Sequence, residues 1–121
     1  MLSFSIEQPK GIMVLKARGK LGKTDLTRLT KAASMYLETH QRFHGVLVHA
    51  QQFPDWESLA GLAVHLDFAR AHHDRVKRIA LVTDSALVEL VAAFVKQLTP
   101  ATLRRFAFAD DAAALAWLRT R

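Results

Sequence analysis

The chain reads as an α/β domain, a mixed and mostly parallel five-stranded sheet with an N-terminal β-hairpin and four helices. Three observations predict it. Short apolar runs alternate with segments of helical periodicity, which implies parallel strands joined by crossovers. Two strand-like segments at the start are separated only by a Pro-Lys-Gly turn. The 121 residues, half of them apolar, suffice for one core and leave no room for two, so residues 1–121 form a single domain.

Each element has a local cause. Leu2, Phe4 and Ile6 alternate with Ser3 and Ser5, the pattern of a half-buried strand. After Pro9-Lys10-Gly11, Ile12 to Ala17 forms the second arm of an antiparallel hairpin. Thr24 or Asp25 is the expected cap of the first helix, whose inward stripe is Leu26, Leu29, Ala33 and Leu37. Gly45 stands where a left-handed terminator of that helix is expected. Val46-Leu47-Val48 reads as a strand covered on both faces, and Asp55 as the cap of a second helix with Leu59, Leu62, Ala63, Leu66 and Ala69 inward. Ile79 to Val82 is the next buried strand. Ser85 caps a third helix with an inward stripe of Leu87, Leu90, Val91, Phe94 and Leu98, stopped by Pro100. Leu103, Phe106 and Phe108 fall in the last strand, and Asp110 or Asp111 caps an alanine-rich closing helix that ends in Trp117-Leu118.

Composition excludes several function classes. The chain has no cysteine, hence no disulfide, thiolate metal site or cysteine nucleophile. The opening residues Met1 to Gly11 have no basic lead and no sustained apolar run, and no apolar run is long enough to span a bilayer. Neither a signal peptide nor a membrane span is therefore expected, and the expected location is cytoplasmic. The formal charge is +6. The segment from Lys10 to Lys31 holds seven basic residues and one acid, Asp25, while the remainder balances. Basicity this local is either a solvated face or an anion-facing patch of Lys16, Arg18, Lys20, Lys23, Arg28 and Lys31. The second reading makes the chain a basic module for nucleic acid or an anionic membrane surface, although no aromatic residue in the segment could stack on a base.

Catalytic and metal motifs do not assemble. Gly19-Lys20-Leu21-Gly22-Lys23-Thr24 ends in Gly-Lys-Thr, but its glycines are too close together for a phosphate loop, so a turn and helix cap is the reading. His40 and His44 are spaced to share a helical face, yet no third ligand accompanies them. His65 and His72 are about 10 Å apart along a helix, too far for one ion. Glu57-Ser58-Leu59 is no nucleophile elbow. No catalytic residue, no metal and no cofactor are expected.

Fold position points to a different place. Ligands of open parallel sheets gather at the carboxyl ends of the strands. Those ends deliver His49, then Thr83, Asp84 and Ser85, with Phe53, Trp56 and Ser58 on the loop beside them. Phe53 and Trp56 either anchor that loop in the core or offer a surface to an apolar ligand or protein partner.

The order of elements resembles the SpoIIAA-like family, the group related to STAS and CRAL-TRIO domains. Gly45-Val46-Leu47-Val48, the segment Phe53 to Leu66, and Arg78-Ile79-Ala80-Leu81-Val82-Thr83-Asp84 carry the resemblance. So do Arg105-Phe106 and the closing Ala113-Ala114-Leu115-Ala116-Trp117-Leu118. It implies a non-catalytic binding or regulatory module for a protein partner or a small apolar or anionic ligand. Separately, an exposed edge strand or the Phe53–Trp56 loop offers an interface for a homodimer. Phospho-regulated STAS proteins place a serine two residues before the glycine that Gly61 matches. Here Leu59-Ala60 precede Gly61 and the nearest serine is Ser58, so the resemblance does not extend to a phosphorylation switch.

Overall fold

The computed structural model describes residues 2–19, 22–52, 74–86 and 88–121. Strands β1 (Leu2–Glu7), β2 (Ile12–Ala17), β3 (Gly45–His49), β4 (Arg78–Val82) and β5 (Thr102–Phe106) form one sheet in that same spatial order. β1 and β2 pair antiparallel, with Phe4 opposite Leu15, and every later pairing is parallel. The described helices are α1 (Lys23–Thr39), α2 (Val88–Leu98) and α3 (Asp111–Leu118). The expected second helix falls on 53–73, outside the described residues.

Sequential strand order decides where the helices go. Right-handed crossovers between successive parallel neighbours put their helices on one face. Accordingly, α1 packs Ala33, Tyr36 and Leu37 against Met13, with Leu29, Leu15 and Val46 around them. Across the ladder Met13 aligns with Val46, Ile79 and Leu103, and α2 lies against the Leu103 end of the same face. The opposite face is left to α3, which is not a crossover. Its Ala114 and Leu118 pack on Ile12, Leu47, Ala80 and Val82. Burial of Ile12, Val82 and Leu118 is essentially complete, contributing roughly 1.5–3 kcal/mol each.

Four local expectations change in the structure. The cap of α1 is Gly22 rather than Thr24 or Asp25; Asp25 stands three residues in and accepts the Gly22 N–H at 3.1 Å. Gly45 does not terminate α1, which ends at Thr39 with an extended His40, but opens β3. It is glycine because Leu118 lies against it: a Cβ there would come within 2.8 Å of Leu118 Cδ2. In α2, Leu90 is 57% exposed, while Ala92 is buried and Val88, Val91 and Val95 are half-buried. Leu90 therefore leaves the expected inward stripe, Val91 keeps its place in it, and Val88, Ala92 and Val95 join Val91 among the residues shielded from solvent. Finally, Phe108 leaves β5 and opens a 3₁₀ turn over Phe108–Asp110.

Candidate functional site

Beyond the ladder, β3, β4 and β5 remain tied at their carboxyl ends. Ala50 N–H donates to Val82 O at 3.1 Å, Thr83 N–H to Phe106 O at 3.0 Å, and Asp84 N–H to Gln51 O at 3.3 Å. Thr83 and Ser85 are buried polar residues. The Thr83 hydroxyl donates to Gln51 O at 3.3 Å and accepts the Ser85 N–H at 3.0 Å. Ser85 O then accepts the Val88 N–H at 3.2 Å, which starts α2. The buried Thr83 hydroxyl is thus satisfied inside the loop, as burial of a polar group requires.

His49 and Asp84 converge on Phe108. Asp84 Oδ1 accepts the Phe108 N–H at 3.0 Å, and His49 Nε2 lies 3.1 Å from Phe108 O. A carbonyl oxygen only accepts, so Nε2 carries a proton and donates it. The two rings also stack, with centroids 4.2 Å apart and planes 9° apart. These three contacts pull Phe108 out of the strand. Phe108 is the residue that the sequence reading missed, because an aromatic two places after Phe106 reads as continued strand alternation. The pair Asp110-Asp111, marking a helix start, is the signal that the strand ends sooner. Phe53, Trp56 and Ser58 lie outside the described residues.

The predicted basic patch is distributed over two faces. Lys16 is exposed and aligns with His49 on the α3 side of the sheet. Arg28 and Lys31 are exposed on α1, which covers the other side. Arg28 lies 5.5 Å from the Phe4 ring centroid and 3.5 Å from Asp25. Arg18 is exposed just past β2, Lys23 opens α1, and Lys20 is outside the described residues. His40 and His44 do not share a helix face: His40 stacks on Tyr36, whose hydroxyl burial pushes to a higher pKa, and His44 Nε2 donates to Thr120 O at 2.5 Å. Among the described residues no three His, Asp or Glu side chains group as metal ligands; His65 and His72 lie outside them.

A groove of about 170 Å³ runs between α2 and β5, lined by Glu89, Ala92, Ala93, Lys96, Leu103 and Arg105. An Arg105–Glu89 ion pair is part of that lining. Its volume is below the roughly 300 Å³ at which small-molecule pockets begin.

Comparison with known proteins accords with this arrangement. The SpoIIAA-like family model matches residues 12–119. The chain belongs to the SpoIIAA-like family. No curated protein matches it. A solved structure similar to this SpoIIAA-like chain is an uncharacterized protein of the DUF3478 family with a SpoIIAA-like fold, from Shewanella loihica PV-4. The two share 22% identity with a TM-score of 0.70, over 97% of this chain and 93% of the other. That likeness establishes the fold of the SpoIIAA-like domain. Among its described residues, no helix is long and apolar enough to cross a membrane.

Proposed function

We propose that this SpoIIAA-like domain is a non-catalytic, cytoplasmic regulatory or binding module. It engages a protein partner or a small apolar or anionic ligand through the loops at the carboxyl ends of β3, β4 and β5. The observation that carries this reading is the convergence of His49 and the exposed Asp84 on Phe108. It gives the carboxyl edge a rigid aromatic pair beside a carboxylate, a combination suited to recognition. Position supports it too, because open parallel sheets take their ligands at this edge. The imidazole and carboxylate are each spent on holding Phe108, which favours binding over proton transfer.

Phosphate-driven binding of nucleic acid or anionic lipid by the Lys10–Lys31 segment is the second reading. It is weakened by the placement of Lys16 and α1 on opposite faces of the sheet.

Tryptophan emission tests the proposal, with oleate, citrate and duplex DNA as probes and Trp56→Phe as the control. Trp117, packed beside Phe106, is the internal reference. The expected outcome is a blue shift of Trp56 with oleate or citrate that Asp84→Ala or His49→Ala diminishes. Indifference to both, with no change in sedimentation that would mark self-association, overturns the reading.

A further inference from the structure

The opposite edge of the sheet carries a cationic cluster assembled from three separate stretches of chain. Backbone hydrogen bonds set the arrangement. Gly11 O accepts the His44 N–H at 2.9 Å, Phe43 N–H donates to Arg75 O at 2.9 Å, and Lys77 N–H donates to Phe43 O at 3.1 Å. Lys10, Arg42 and Lys77 each adjoin one of these bonds or make it. They are therefore neighbours at the amino ends of β2, β3 and β4. Lys10 and Arg42 are exposed and Lys77 is half-buried.

None of the three has a partner among the described carboxylates, whose ion pairs go to Arg28, Arg105 and Arg119. Arg78, next to Lys77, is already engaged. It donates to Thr120 O at 2.5 Å, to Thr120 Oγ1 at 2.7 Å and to Arg121 O. It adds fixed positive charge to the cluster while its Nη1 and Nη2 groups are held by the Thr120 and Arg121 acceptors. The charges are close enough to act on one another. Partial burial first, then Arg78, Arg42 and Lys10, hold the Lys77 ammonium below its ordinary pKa of 10.5. Like charges gathered with no described side-chain carboxylate paired to Lys10, Arg42 or Lys77 are a cost in the free protein that an anion would relieve.

We propose that Lys10, Arg42 and Lys77 form a binding site for a compact phosphate-bearing anion of the pyrophosphate class. A single carboxylate brings one negative charge to a cluster of at least three positive ones. Phosphate groups bring about one and a half each at neutral pH, and their oxygens suit the fork of Arg42 and the point charge of Lys77. The site is at the end of the sheet away from His49 and Asp84 and does not depend on them.

The test is titration of the full chain with inorganic pyrophosphate at physiological salt, read by calorimetry and by backbone amide shifts. Saturable binding is expected, with shifts confined to residues around Lys10, Arg42, His44 and Lys77. Lys77→Gln and Arg42→Gln should each weaken binding about tenfold, the loss of one charge-assisted hydrogen bond. Lys31→Gln, on the far side of α1, should not change it. Arg42→Gln alone decides the matter if Lys77→Gln does not fold. Shifts centred on Phe108 and Asp84, or equal weakening by Lys31→Gln, overturn the site. So does binding of duplex DNA or phosphatidic acid vesicles at this edge with none of pyrophosphate.

Discussion

Asp25 is the one acid in the basic segment from Lys10 to Lys31, and its carboxylate is committed to starting α1. A side chain three residues into a helix that reaches back to the cap N–H satisfies one of the donors every helix start leaves open. Gly22 has no side chain to do this work from the cap itself. The Gly22 N–H is the foremost reason the Asp25 carboxyl sits below its ordinary pKa of 3.8; partial burial opposes it, and Leu2 and Arg28 assist. The Arg28 pair, with both partners reaching into solvent, adds little. Because the folded pKa is depressed, the stability contributed is complete above the ordinary value and is lost as pH falls through the folded one. Asp25→Ala should therefore melt at a lower temperature than the wild type at neutral pH. The gap should close as the pH drops below the carboxylate range, and circular dichroism melts across pH read it directly. The same substitution frees the start of the helix that carries Arg28 and Lys31.

Element boundaries depend on partners that adjacent sequence does not contain, and α1 is the clearest instance. Its stripe of Leu26, Leu29, Ala33 and Leu37 was legible because periodicity is local: Leu29, Ala33 and Leu37 pack on the sheet and Leu26 is buried. Its end was not. The closing carbonyls belong to Arg75, whose Nε donates to Gln41 O at 2.7 Å and whose Nη2 donates to Leu37 O at 2.9 Å and His40 O at 2.8 Å. No glycine is needed once a guanidinium from the approach to β4 takes over the role. β3 and β4 were legible as apolar runs, since both faces of each are covered. Phe108 was not, because its backbone is claimed by Asp84 and His49 from two other strand ends. Arg75→Ala leaves those carbonyls without a donor and should cost about 1–3 kcal/mol. Amide exchange should rise first in the last turn of α1. Arg75→Lys should recover only part of the loss, because an ammonium cannot span three acceptors in one plane.

At the scale of the whole molecule, charge is organised by the sheet rather than by the order of residues. The sequence places all the net positive charge between Lys10 and Lys31, as though one surface held it. Folding separates Lys16, on the α3 side, from Arg28 and Lys31 on α1. It brings Lys10 instead to Arg42 and Lys77, which the sequence holds far away. This redistribution has a measurable consequence for polyanions. Affinity for duplex DNA falls with salt by about 0.9 log units per log unit for each phosphate contacted. Six basic residues acting as one patch would give a slope near −5. Clusters facing different directions cannot engage one duplex together, and two or three contacts at a time give a slope of about −2 to −3. Fluorescence anisotropy with a labelled duplex over a salt series measures that slope. Neutralising Lys16 should leave unchanged the further effect of neutralising Arg28 and Lys31, since cations on opposite faces do not share a phosphate track. A slope near −5, with Lys16 coupled to Arg28, would mean that the two faces act as one surface in solution and that the chain wraps its basic residues around nucleic acid.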